Sequence, residues 1–290
     1  MGRRSKRLST TVRLSRVALF AFGSIFTVSA ASAAMLADEP VSDSEARGTT
    51  PESQKGYDIS ARSDRTDSGF ADSKVDATMV LRNKAGQETS RQFSFSTLEK
   101  ESEAVGDKSL VVFSSPRDVE GTALLSHAEI LKPDQQWLYL PALKRVKRIS
   151  SANKSGAFIG SEFAFEDFTI TELNKFTYAY LQEETVDGVV MDVIERFPRY
   201  EKSGYTRQKV WIDQDIFQTR KVEFYDRKGD LLKTLSLNDY RQYGEIWRAQ
   251  SLSMVNHQTG KETDLIYGDF QFETGLDAND FEQAILTRLR

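Results

Sequence analysis

The chain reads as strand after strand. Short segments in which apolar and polar residues alternate follow one another, with turn residues and almost no helical-period stretch between them. Val75, Ala77, Met79 and Leu81 alternate with polar neighbours, the period of two that puts one face of a strand against a core. A turn over Lys84, Ala85, Gly86 and Gln87 returns the chain to a strand carrying Phe93 and Phe95 on one face, which predicts a β-hairpin. Further strands are expected over 109–114, 122–131, 135–140, 173–183, 189–197, 206–212, 220–226, 231–240, 246–256 and 263–272. Asp187-Gly188, Lys228-Gly229-Asp230, Tyr243-Gly244 and Thr259-Gly260-Lys261 punctuate them as turns. Serial strands with short loops exclude a parallel βαβ architecture, whose crossovers need helices, and predict an antiparallel meander. A meander of this length hides its edges by curling into a barrel or half-barrel, its open side covered by a helix or occupied by a ligand. The expected cover is the last segment, where Asp277 or Asn279 can cap a helix with Phe281, Ile285 and Leu289 at helical spacing.

Residues 1–33 read differently. Arg3, Arg4, Lys6, Arg7, Arg13 and Arg16 lead into an apolar run over 17–28, which closes on Ala31-Ser32-Ala33. This is the order of a secretory signal peptide cut after Ala33. The rival, an uncleaved anchor, is disfavoured because the run is shorter than the roughly 20 residues of a bilayer span and is diluted by Gly23, Ser24, Thr27 and Ser29. Cleavage takes away six basic residues and no acidic one, so the formal net charge falls from −4 to −10. An acidic body argues against nucleic acid, whose phosphates need a basic face. With no cysteine the fold holds without disulfides, and a lipidated N-terminal cysteine is excluded. Residues 34–55, polar and turn-rich, are expected to be a disordered linker, and residues 56–290 a single domain, with a short helix expected within 57–70 before Gly69.

The most unusual segment is 135–168, QQWLYLPALKRVKRISSANKSGAFIGSEFAFEDF. Trp137 and Tyr139 belong to an aromatic strand stopped by Pro141, to be read as sheet core or as ligand contact. Lys144, Arg145, Lys147 and Arg148 follow, either a solvated strand face or a basic rim for an anionic head group or an acidic partner. Pairing with Glu162, Glu166 and Asp167 would account for part of the cluster and for those acids as well. Phe158, Phe163, Phe165 and Phe168 alternate with glycines and carboxylates, and read as core or as an apolar lid over a hydrophobic cavity.

Machinery for catalysis is not apparent. His127 and His257 are the two histidines, on different expected strands, and without cysteine a zinc site would need an unusual ligand set. There is no G-x-S-x-G elbow, phosphate-cradling loop or dinucleotide fingerprint. A carboxylate pair for glycoside hydrolysis can be drawn from Glu162, Glu166 and Asp167, but acidic residues are common in this chain. The expectation is a protein without catalytic residues, metal or cofactor.

The runs GTALLSH (121–127), QWLYLPALKRVKRI (136–149) and SGAFIGSEFAFEDF (155–168), with Val111, Val112, Phe113, Ser114, Ser115 and Pro116 before them, closely resemble the bacterial outer-membrane lipoprotein-sorting proteins. These are periplasmic relatives of the LolA and LolB lipoprotein carriers. The residues that carry the resemblance are Trp137, Tyr139, Pro141, Arg145, Lys147, Arg148, Gly160, Glu162, Phe163, Glu166 and Asp167. The resemblance implies a mainly β protein with a few helices, an incomplete antiparallel β-barrel, or half-barrel, around a hydrophobic cavity covered by helices. It also implies a soluble periplasmic carrier of lipid or lipoprotein acyl chains with only transient membrane contact, and an RND-type inner-membrane exporter as a partner.

Overall fold

The computed structural model describes residues 43–99, 106–130, 132–169 and 172–289, so the expected signal peptide lies outside the described residues. Part of the stretch expected to be disordered is helical, in α1 (Asp43–Arg47) and the start of α2 (Pro51–Thr66). The physical reason is capping rather than hydrophobicity. The Thr50 hydroxyl accepts from the Ser53 N–H at 3.1 Å, the Thr50 N–H donates to the Ser53 hydroxyl at 3.1 Å, and Pro51 fills the first helical position. Of the few apolar side chains available, Ala46, Tyr57 and Ala61 are buried and Ile59 packs partly buried against the core.

Strands β1 (Asp72–Arg82), β2 (Glu88–Leu98), β3 (Lys108–Ser115), β4 (Ala123–His127), β5 (Gln135–Leu140) and β6 (Arg145–Arg148) form one meander. A second comprises β7 (Phe176–Val186), β8 (Val189–Pro198), β9 (Arg207–Asp213), β10 (Thr219–Tyr225), β11 (Leu231–Tyr243), β12 (Ile246–Asn256) and β13 (Lys261–Tyr267). The short β14 (Gln271–Phe272) pairs with the start of β1. All pairings are antiparallel, and the two meanders join where β1 meets β13, with Met79 opposite Leu265. The expected hairpin is β1–β2, with Val75 opposite Phe95 and Ala77 opposite Phe93. The sheet does not close, because β6 and β7 end it on either side. It is the open half-barrel, not a barrel.

Alternation along the strands gives the sheet two apolar faces. On the inner face Met79, Phe93, Val111, Phe113, Leu124, Leu138, Ile194, Val210, Val222, Phe224, Met254 and Leu265 belong to one core. On the outer face of β3 to β6 a smaller core gathers Leu110, Ala123 and Leu125 with Trp137, Tyr139 and Val146. This is where the C-terminal segment packs. It is not a helix over the open side, but two 3-10 turns, Ala278–Phe281 and Gln283–Thr287, that bury Phe281 and Leu286 against the outer core. Asp277 caps the first turn by accepting from the Asn279 N–H at 2.7 Å, and the extended backbone of Glu282 stops the two turns from fusing.

Candidate functional site

The strands β6 and β7 are neighbours in sequence yet form opposite edges of the sheet, so the link between them, 149–175, must travel from one edge to the other. It crosses the inner face. Phe158, Phe163 and Phe168 are 0%, 3% and 8% exposed and pack into the inner core, with Phe165 partly buried against it. Their rings form a chain, with centroids 5.8 Å apart for Phe113–Phe158, 4.4 Å for Phe158–Phe168, 5.8 Å for Phe163–Phe168 and 5.5 Å for Phe158–Phe165. The link fills this part of the half-barrel with aromatic rings. Its sharp turn uses Ile159 and Gly160, both at positive φ (48° and 76°).

Polar contacts stitch the link to both meanders. The Arg91 guanidinium on β2 donates to the Ile159 carbonyl. From the other half, Lys233 Nζ donates to the Glu162 carbonyl at 2.9 Å and to Asp167 Oδ2 at 2.6 Å, and Asn256 Nδ2 donates to Glu162 Oε2 at 2.6 Å. The Tyr205 hydroxyl reaches Asp167 Oδ1 at 2.8 Å. Glu166 accepts from the Gly204 N–H at 2.8 Å and from the Ser203 and Tyr200 hydroxyls at 3.0 and 3.3 Å. Burial, and then the neighbouring Asp167 charge, raise the Glu166 carboxyl above its usual range. A second buried group lies at the base of the link. Asp134 pairs with Lys175, Lys154 donates to the Asp134 carbonyl, and burial pushes the Lys154 ammonium down to about 8.

The carboxylates singled out in the sequence are therefore committed to holding the link, and they do not pair with the basic cluster. Lys144, Arg145, Lys147 and Arg148 are all exposed, and among the described residues none of them enters an ion pair. They sit on and beside β6, the free edge, where charge discourages another strand from pairing. Trp137 and Tyr139 also part company with the phenylalanines. Strand alternation sends Gln136, Leu138 and Leu140 inward and turns Trp137 and Tyr139 to the outer core. There Trp137 meets His127 edge-on at 5.0 Å, while His127 Nε2 bonds the Phe281 carbonyl at 2.7 Å.

A cavity of about 330 Å³ lies between α2 and the inner face of β7 to β11, beside the end of the link at Glu172 and Leu173. Ile194, Val210, Ile212, Val222, Leu235 and Leu237 form its apolar wall, and Ser60, Asp64 and Asp67 of the helical arm close it above. The helix approaches closely because Gly56 leaves room: a Cβ there would stand 2.9 Å from the Tyr180 nitrogen. Tyr57 and Tyr178 pack edge-to-face beside it at 5.9 Å. A smaller cavity of about 130 Å³ adjoins it, the two sharing Arg196, Val222 and Leu235. None of the residues named in the wall of the larger cavity was singled out in the sequence, whereas the smaller one is also lined by Phe163, Glu166 and Asp167, which were. The alternating Ile194, Val210, Ile212 and Val222 are the signal, but they look like any strand core until the covering element is known.

Among the described residues no helix is long and apolar enough to cross a membrane, and no group of His, Cys, Asp or Glu is arranged to hold a metal.

A family model with the description "-like: Uncharacterized protein" matches residues 106–288. The chain is 48% identical to a crystal structure of an outer membrane lipoprotein-sorting protein domain from Vibrio parahaemolyticus, with a TM-score of 0.79, covering 81% of this chain and 100% of that one. A DUF1329 family protein from Desulfovibrio piger is 28% identical, with a TM-score of 0.77 over 82% of this chain and 100% of that one. A LolA superfamily protein from Nitrosomonas europaea, at 20% identity and a TM-score of 0.64 over 81% of this chain and all of the other, shares the fold. No curated protein matches significantly.

Proposed function

Because the chain belongs to the outer-membrane lipoprotein-sorting protein family, which is LolA-like, we propose that it is a periplasmic carrier or chaperone. It binds acyl chains of a lipid or lipoprotein on the inner face of its half-barrel and moves them towards the outer membrane. The observation that carries this reading is the apolar-walled cavity under α2. Sequestering a chain there is worth about 0.8 kcal/mol per buried CH₂, and it needs a dry, shaped space rather than a catalytic group. Export through a signal peptide cut near Ala33 would bring the chain to its cargo, and an RND-type exporter is the proposed donor. Protein purified from the periplasm, extracted with organic solvent and analysed by mass spectrometry, should yield a co-purifying acyl-chain compound. Protein that keeps its fold and neither retains nor takes up any such compound would defeat the reading.

The exposed basic edge at Lys144, Arg145, Lys147 and Arg148 favours a second reading, an accessory subunit that docks on a membrane exporter and holds no cargo. Reversing Arg145 and Arg148 to glutamate should then abolish capture of the exporter, with no lipid found in the protein before or after the change.

A further inference from the structure

Among the described residues Arg196 on β8 is the one lysine or arginine in the wall of the larger cavity, and it walls the smaller cavity too. Nε donates to Gln208 Oε1 at 2.6 Å, and the guanidinium carbon lies 4.8 Å from the centre of the Phe176 ring. A guanidinium has five N–H donors, and that bond uses one. Among the described residues no carboxylate stands within ion-pair distance of Arg196. The acids that share the smaller cavity are taken: Asp134 by Lys175, Asp167 by Lys233 and Tyr205, and Glu166 by Gly204, Ser203 and Tyr200. Arg196 nevertheless keeps part of its surface accessible, and in this part of the fold that surface is cavity wall. An arginine stays charged under these conditions, and an unpaired charge inside a fold is costly.

The rest of the wall selects what can answer that charge. Asp64, Asp67, Glu99, Asp107 and Glu172 line the same cavity. A small free anion offers no apolar surface to offset the loss of its hydration there. An anion attached to an acyl chain gains burial along Ile194, Val210, Ile212, Val222 and Leu235. The volume, about 330 Å³, is near the low end of the roughly 300–1,000 Å³ of small-molecule pockets, which suits one chain rather than several.

We propose that this cavity binds a single-chain amphiphile with an anionic head, carboxylate or phosphate, seated on Arg196. The inference rests on the carrier reading and names its ligand class.

Isothermal titration of the whole mature protein with laurate, dodecyl phosphate, dodecanol and inorganic phosphate separates the two. Laurate or dodecyl phosphate should bind roughly tenfold or more tightly than dodecanol, the better of the two identifying the head. Inorganic phosphate should not bind. Arg196→Gln should bring the anionic chain down to the dodecanol level, with Arg196→Lys retaining a preference and circular dichroism reporting the fold of each variant. Dodecanol binding as tightly as both anionic chains to the wild type, a comparison that needs no variant, overturns the head-group assignment and leaves the carrier reading standing. Failure of all three chains to bind overturns both.

Discussion

Lys233 on β11 and Asp167 in the link between the two sheet edges form an ion pair at 2.6 Å, with both side chains almost wholly buried. The same lysine holds the Glu162 carbonyl, and the same aspartate holds the Tyr205 hydroxyl and the Ala164 N–H. One pair thus fixes the link to the second meander from both ends of its acidic run.

Removing one partner strands the other in the core. Lys233→Met should cost about 3–5 kcal/mol in urea unfolding, because Asp167 is left buried without its partner. Lys233→Met combined with Asp167→Leu should recover part of that loss. A single-variant cost below about 1 kcal/mol, the range of exposed pairs, would mean that the pair does not anchor the link.

Phe158 is fully buried and touches three other rings of the inner core. Phe158→Ala should destabilise by about 3–5 kcal/mol, read by thermal or urea denaturation. A lid residue facing solvent in the resting protein would lose far less.

Gly56→Ala sets two effects against each other. In a helix interior alanine is worth about 1 kcal/mol over glycine. Here the methyl would meet the Tyr180 nitrogen at 2.9 Å and the Ala179 carbonyl carbon at 3.0 Å. Backbone cannot rotate away as a side chain can, so α2 must lift from β7 and the variant should be less stable by about 1–3 kcal/mol. A melting temperature at or above that of the wild type would contradict the close packing.

Lys154 gives a pH dependence of known sign. Burial lowers its pKa from 10.5 to about 8, so between those values the unfolded chain binds a proton that the folded one lacks. Stability gained from this group therefore rises with pH through that window and is lost as pH falls through about 8. The difference in unfolding free energy between wild type and Lys154→Met should shift in favour of the wild type from pH 8 to 10. A flat difference would show the ammonium to be solvated. Glu166 acts in the opposite sense: its raised carboxyl favours the folded state at low pH, and that contribution fades as pH climbs through the folded pKa.

The strands were readable because alternation is a local signal, and β5 and β12 begin and end where the sequence places them. Alternation also says that Trp137 and Leu138 point to opposite faces. It does not say which face is inside, since both carry apolar cores, and the larger ring turned out to be under the C-terminal turns. The short helix expected within 57–70 is the later part of α2, but α1 and the start of α2 were obscured for another reason. Over 43–66 the pattern is nearly all polar, and the deciding signal is the Thr50-Pro51 cap with Ser53, a feature of hydrogen bonding rather than of hydropathy. The partners of Glu162 and Asp167, Asn256 and Lys233, lie 94 and 66 residues away in sequence, so no local pattern announces them. Arg196 is equally silent: in sequence it is one more polar residue on an alternating strand.

The pairing of β1 with β13 has a consequence in time. The ribosome makes the first strand of this sheet long before the last, and the partner that closes its open side arrives only near the end of the chain. Until then β1 presents unpaired backbone groups along Ala77 to Arg82, an invitation to any other extended chain nearby. Contacts of such long sequence separation form slowly. A nascent chain of this kind gains by being kept unfolded until its C-terminal third is available, and shortened products ending before residue 261 should aggregate rather than fold.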